Sequence, residues 1–387
     1  MCTSNPLRKI SIASLVLAAA SGSALSATTE QWASSVLGFS SQYTDSSWSA
    51  AQALGLPDTF GYGDLDTAWS PAYPPTGTEF ISVGFAAPVY ASGAMIRETY
   101  GNGFVTRIDA IDTRGIAHGV WRGTDPSLGG APAELQANWV TGPYLTRGLK
   151  VYVDGNHDPS AFSEIDAIQL RGQTDSPTGG VVGQWASTVL GFSSQYSASG
   201  WAASQVLDLP DTPSYGDQST AWAPQSPGGA GITEFISVGF EVPVFASGAT
   251  IRETFGNGFV QRIDAIDLRG LAHTVWTGTD GSAPLTAAEF AVSWKPTTFA
   301  VSGLKVFVDT GSSDSWEEVD AIQLLGRVAP IPEPGSWALM AAGLGLLAFR
   351  GRGKPFVSER RRASGTVVLS GAPPVHRRPA APSGRAA

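Results

Sequence analysis

Ten carboxylates in two matching sets are the first residues of this chain that could do chemistry. Glu98, Asp109, Asp112, Glu164 and Asp166 recur as Glu253, Asp264, Asp267, Glu318 and Asp320. Glycoside hydrolysis needs two carboxylates flanking a bond. A catalytic pair copied whole, with no insertion to build a deep cleft, does not suit an enzyme, and none is expected. Asp58, Asp64, Asp66 and Thr67 crowd one loop; Asp211, Asp217, Ser219 and Thr220 occupy the matching places. On the simplest reading Asp58 and Asp211 close turns, while Glu164 and Glu318 accept hydrogen bonds or pair with Arg97 and Arg252. His118 and His273 sit in Ala-His-Gly-Val-Trp and Ala-His-Thr-Val-Trp without a serine nucleophile motif nearby. They read as strand-edge histidines beside packed tryptophans.

Aromatic residues offer binding chemistry. Ten of the twelve tryptophans pair between the copies: Trp32, Trp48, Trp69, Trp121 and Trp139 with Trp185, Trp201, Trp222, Trp276 and Trp294. On apolar strands these read as core. The loop aromatics Tyr62, Tyr100 and Phe162, with Tyr215, Phe255 and Trp316, are better platforms for the apolar face of a pyranose. Arg97, Asn102, Arg252 and Asn257 could add hydrogen bonds there.

The elements that must position these residues come from a duplication. Gln31-Trp32-Ala33-Ser34 returns as Gln184 to Ser187, and Glu79 to Phe85 as Glu234 to Phe240. Ile165-Asp166-Ala167-Ile168-Gln169-Leu170 returns as Val319 to Leu324. Repeat 1 is assigned 28–173, a Gly/Pro/Ser/Thr-rich linker 174–183, and repeat 2 184–328. Short alternating runs such as Leu149-Lys150-Val151-Tyr152-Val153, punctuated by Gly, Pro, Asn and Asp, predict an all-β fold of two tandem jelly-roll sandwiches of about eight strands each. Gly101-Asn102-Gly103 is expected to be a tight hairpin turn.

The ends read as addresses. Arg8 and Lys9 precede the apolar stretch Ile10 to Ala20 and a small-residue segment, which makes 1–27 a secretory signal peptide. The only cysteine is Cys2, so the mature chain has no disulfide and no thiol ligand. Between 28 and 349 there are 13 Lys and Arg against 32 Asp and Glu, a net charge near −19. Such a surface repels nucleic acid, which is excluded as a partner. Pro332-Glu333-Pro334 precede the apolar run Ser336 to Phe349 and the cations Arg350, Arg352 and Lys354. The run is short for a bilayer span of about 20 residues. Segment 355–387 is basic and Pro-rich and is expected to be disordered.

The order of Pro-Glu-Pro, short apolar helix and arginines over 329–354 resembles the PEP-CTERM sorting signal of Gram-negative bacteria. That resemblance implies export by the general secretory route, a transient stay in the inner membrane, and cutting by an exosortase near Pro332 to Pro334. Release to the cell surface or extracellular matrix follows. It also implies company with exopolysaccharide and biofilm, so a polysaccharide is the expected partner. The other expectation is a structural surface protein that binds proteins. The repeats themselves look like the galactose-binding-like superfamily of discoidin-type jelly rolls, through Phe-Ser-Ser-Gln-Tyr at Phe39, Pro-Asp-Thr at Pro57, Ile-Arg-Glu-Thr at Ile96 and the closing Glu164 to Leu170. Members often hold a structural calcium where an early acidic loop meets the last strand. The resemblance carries that role to Asp58, Asp64, Thr67 and Glu164, and to Asp211, Asp217, Thr220 and Glu318, since calcium takes six to eight oxygens. Ser219 in place of Asp66 removes one candidate from repeat 2.

Overall fold

Alternation of buried and exposed side chains along short strands builds each repeat. The computed structural model describes residues 28–73, 77–177, 180–225, 233–311 and 315–328. The expected signal peptide, sorting motif (Pro332, Glu333, Pro334, Arg350, Arg352), apolar segment and basic tail lie outside them. Among the described residues no helix is long and apolar enough to cross a membrane.

Repeat 1 comprises β1 (Thr28–Trp32), β2 (Ser35–Phe39), β3 (Thr78–Tyr100), β4 (Val105–Asp112), β5 (Ala117–Arg122), β6 (Ala133–Asn138), β7 (Thr146–Asp154) and β8 (Glu164–Gln173). All pairings are antiparallel. The 23-residue β3 belongs to both layers. Its first half pairs with β2 and β7, and β4 and β5 extend that layer. Its second half pairs with β8 and β6, with β1 outside β8. The register breaks between Gly84 and Val89, around Pro88, where the strand turns from one layer to the other. Proline lacks the N–H that a continuous ladder would use there. Between the layers lie Trp69, Ile81, Ile96, Ile108, Leu149, Ile165 and Leu170, all fully buried.

Repeat 2 reproduces this with β9 (Val182–Trp185), β10 (Thr188–Phe192), β11 (Thr233–Phe255), β12 (Val260–Asp267), β13 (Ala272–Thr277), β14 (Ala288–Ser293), β15 (Val301–Asp309) and β16 (Glu318–Val328). β9 starts two residues inside the expected linker. The Gly101–Gly103 segment departs from expectation. It carries β3 into β4, strands that do not pair with each other, so it is a link between neighbours of β7 and not a hairpin turn. Its glycines do take positive φ, 62° and 97°, which is the local signal the sequence showed.

The repeats touch through charged side chains from β4, β5 and the turn between them in repeat 1. Arg107 Nη2 donates to Asp208 Oδ2 at 2.6 Å, and its Nε donates to Asp109 at 2.6 Å. Arg114 joins Asp112 to Glu241. His118 lies 3.3 Å from Asp112 through Nε2 and 3.3 Å from Glu241 through Nδ1, stacked on Tyr144 at 3.9 Å. Gly119 lets the chains approach: a Cβ there would stand 2.3 Å from Asp208 Oδ1 and 2.8 Å from Leu209. Asp208 holds φ at 71°, where its repeat-1 counterpart Gly55 holds 88°. A left-handed backbone is thus kept, by a residue type that tolerates it, to set a carboxylate on Arg107.

Gly119→Thr, which installs the residue of the matching position Thr274, is expected to cost about 1–3 kcal/mol by overpacking and to separate the repeats. Small-angle scattering of the exported chain would register a larger radius of gyration. An unchanged profile would mean the contact does not fix the pair.

Candidate functional site

The acidic loop reaches the last strand through one two-way backbone contact. Trp69 N–H donates to Ile165 O at 2.8 Å and Ile165 N–H to Trp69 O at 2.9 Å. Trp222 and Val319 repeat it at 2.8 and 3.0 Å. With Trp69 buried as an anchor, the loop before it must lie across the start of β8.

This brings the expected acids together at two points. Glu164, fully buried, accepts Leu65 N–H at 3.3 Å through Oε2, while its Oε1 is buried without a hydrogen-bond partner. Burial first, and then the neighbouring Asp64 carboxylate, push its carboxyl up to about 8. Glu318 is raised to about 8 in the same way, by burial and Asp217. It accepts Gln218 N–H at 3.2 Å and Trp201 Nε1–H at 3.0 Å. The second point is Asp166, whose Oδ1 accepts the N–H groups of Asp58 at 3.3 Å and Thr59 at 3.1 Å. Thr59 and Thr67 share a hydroxyl bond of 2.6 Å. Asp320 gathers Asp211 and Thr212 likewise, with Thr220 bonded to Thr212 at 2.9 Å. Asp64 and Asp217 therefore face the final-strand glutamates, whereas Asp58, Thr67, Asp211 and Thr220 knit the loop to the aspartate two residues on. Arg97 pairs with Glu134 at 3.2 Å and Arg252 lies 4.0 Å from Glu289, so neither partners the final-strand glutamate.

An aromatic cluster stands beside the first point in both repeats. Tyr43 meets Trp48 at 5.4 Å and Phe162 at 5.7 Å, and Tyr73 meets Phe162 at 5.5 Å. Tyr196 meets Trp201 at 5.3 Å and Trp316 at 5.7 Å. A cavity of about 210 Å³ lies against Tyr73, Asn156, Asp158 and Phe162. One of about 50 Å³ lies among Tyr196, Trp201, Asp217 and Trp316. Trp48 and Trp201 take φ of 50° and 52°. Two bulky residues in the left-handed region, at the same place twice, mark a strained turn of the kind that clusters at functional sites. The sequence reading placed these two tryptophans in the core. Their positive φ leaves no trace in residue type; Tyr43 and Tyr196 were legible only as part of the repeated Phe-Ser-Ser-Gln-Tyr.

The other expected ligand residues lie in different surroundings. Tyr62 and Tyr100 form their own edge-on pair at 5.5 Å, as do Tyr215 and Phe255. Asn102 Nδ2 donates to Leu128 O and Ala131 O, and Asn257 Nδ2 to Ala283 O and Thr286 O, which closes a loop. Glu98 is fully buried and accepts Gly103 N–H at 2.7 Å. Burial, and next the bond to Asp125, raise its carboxyl to about 9; Glu253 beside Asp280 is raised to about 9 by the same causes. Asp112, His118 and Glu241 place ligand-type atoms within 4.8 Å of one another. Arg114 already bonds both carboxylates, so the group is an ion-pair latch between repeats. Burial works against Asp112, but the Ile116 N–H, Arg114 and His118 hold its carboxyl near 2.

The chain is thus of the tandem jelly-roll class, with antiparallel sandwiches and an acidic loop closed on the last strand. It carries a PEP-CTERM protein-sorting motif, whose family description matches residues 330–354, and this marks it as an exosortase-sorted surface protein. Residues 22–179 are similar to the family described as Pappalysin-1, SD scarf domain, C-terminal. No curated protein sequence matches. Among solved structures, allantoicase from Saccharomyces cerevisiae is 16% identical, covering 75% of this chain and 89% of that one, TM-score 0.27. The family 32 carbohydrate-binding module of C. perfringens NanJ in complex with galactose is 16% identical, covering 38% and 93%, TM-score 0.26. A fucolectin from Morone saxatilis is 11% identical, covering 78% and 96%, TM-score 0.25. These scores are too low for any of the three to bear on what this chain binds.

Glu98 and Glu253 keep a proton in the folded state that the unfolded chain releases above about 4.5. Their stabilisation is therefore fullest below about 4.5 and declines as pH rises towards about 9, by at most about 1.4 kcal/mol per pH unit for each group. Melting temperature should fall from pH 5 to pH 9. Glu98→Gln with Glu253→Gln, whose amides mimic the protonated carboxyl, should flatten the slope.

Proposed function

We propose that this protein is a non-catalytic glycan-binding component of the cell surface or extracellular matrix, with one aromatic site at the loop end of each sandwich. The observation that carries the reading is the recurrence of Tyr43, Trp48 and Phe162 as Tyr196, Trp201 and Trp316, in the same edge-on arrangement. Tyr43 and Tyr196 remain 47% and 51% exposed, so a sugar ring can reach the cluster. Aromatic faces beside a small polar-rimmed cavity suit pyranose stacking. Exopolysaccharide is the ligand class the sorting route favours. Two sites on one chain would add avidity on a polymer of repeating units.

Calcium fits the neighbouring acids. Glu164 Oε1 is buried without a close hydrogen bond, and the Asp64 carboxylate stands beside it with the Trp48 indole, an arrangement of two acids that a divalent cation relieves. Asp64 with Glu164, and Asp217 with Glu318, would hold the ion; Asp58, Thr67, Asp211 and Thr220 would brace the loop around it. The ion would supply the rigidity that disulfides give other exported proteins. Catalysis has little to support it: Glu98, Asp109, Asp112, Glu164 and Asp166 are each 2% exposed or less, out of a substrate's reach. A second reading, a structural protein that binds proteins of the surface or biofilm, draws on Leu56 and Phe60, apolar residues of the acidic loop that stand 69% and 81% exposed.

On a glycan array the exported chain should bind, and Phe162→Ala or Trp316→Ala should each weaken binding roughly tenfold, about 1.4 kcal/mol. Silence on the array combined with self-association would favour the second reading. Chelator should lower the melting temperature of the wild type but not of Asp64→Asn/Glu164→Gln/Asp217→Asn/Glu318→Gln; a wild-type midpoint that ignores chelator ends the calcium proposal. In a host with an exosortase, Pro332→Ala/Pro334→Ala should remain uncut in the inner membrane.

A further inference from the structure

Docking of the repeats creates a groove that neither has alone. Its cavity of about 590 Å³ is walled by Trp121 and Trp139 of repeat 1 and by Trp185 of repeat 2, a volume in the range of small-ligand sites. All three rings are half-buried, so each keeps an open part. Trp139 is fixed by its Nε1–H donating to Ala91 O at 3.1 Å. The Gly183 N–H donates to Thr141 O at 3.0 Å across the junction. Asn138 and Gln323 bring amides from the two sides. Arg252 reaches the groove with its Nε buried and without an acceptor.

Charge narrows the occupant. The groove's charged residues are Arg122, Arg252, Asp211 and Glu289, two of each sign. A polyanion would meet two carboxylates here and the acidic surface beyond. A hydroxyl-rich neutral chain meets stacking faces and amides, with the Arg252 guanidinium 4.0 Å from Glu289 beside them. We infer that the inter-repeat groove binds a segment of neutral polysaccharide, an inference that rests on the glycan-binding reading and adds a place distinct from the loop-end clusters. The matching rings Trp276 and Trp294 of repeat 2 have no following repeat among the described residues. Among the described residues there is therefore one such groove, and its shape depends on the Asp208 and Glu241 contacts that hold the repeats together.

The test separates polymer from short sugar. The exported chain is run in affinity electrophoresis against laminarin, dextran and galactomannan, with alginate as the anionic control. Loop-end binding is followed by calorimetry with short oligosaccharides of the same polymers. Retardation by at least one neutral polysaccharide and not by alginate is expected. Trp185→Ala and Asp208→Gly should each raise the polymer Kd about tenfold or more, with oligosaccharide binding unchanged. Asp208→Gly restores the residue type found at Gly55, so it leaves the fold of each repeat intact, and Asn138→Ala offers a small third change in the wall. Polymer binding that survives all three variants and is lost only in Phe162→Ala/Trp316→Ala would overturn the groove and leave the loop-end reading standing. Absence of retardation by every polysaccharide together with absence of oligosaccharide binding would overturn both.

Discussion

The reciprocal backbone pair between Trp69 and Ile165, and its copy between Trp222 and Val319, is the constraint on which the rest of the molecule turns. It closes a long early loop onto the last strand of each sandwich. The loop-end site follows from that closure: Asp64 against Glu164, Asp58 and Thr59 folded over Asp166, and the aromatic cluster at the open end. The pair holds because Trp69 and Trp222 are wholly buried. An indole of that size in the core is worth several kcal/mol, enough to fasten a loop with little regular structure of its own.

Many carboxyls are buried in a chain that has few cations between its ends. Most are neutralised by geometry and not by lysine or arginine. Asp166 and Asp320 spend an oxygen on backbone N–H groups, and Glu98 and Glu253 stay protonated beside a second acid. Buried charge is costly unless it is hydrogen-bonded or shed, and this fold uses both routes in parallel in its two halves.

Much of this could be read from residue order, because duplication displays the same pattern twice. The eight-strand repeats follow from alternation in runs such as Leu149 to Val153, and their boundaries from the return of Gln-Trp-Ala-Ser. What could not be read is the partner of each strand: Gly101-Asn102-Gly103 has the composition of a hairpin turn but joins strands that are separated by β7. Left-handed backbone at Trp48 and Trp201 was equally hidden, since tryptophan gives no warning of it. The acids were legible as a group, but their division between Glu164 and Asp166 was not. Glu164 and Asp166, two residues apart, would share one face of a regular strand; only the loop's path and the register shifts opposite this segment decide which acid each meets.

The junction has a last property that concerns assembly. At three places where repeat 1 meets repeat 2, the equivalent residue in the other copy is different: Gly119 answers to Thr274, Asp208 to Gly55, and Glu241 to Ala86. A head-to-tail contact that used equivalent faces would join chain to chain into a ring or an open filament. Here the outer face of the second copy presents a threonine where a glycine is needed, and the free face of the first lacks both acids. The outer faces of the two described repeats therefore do not reproduce the contact that joins them.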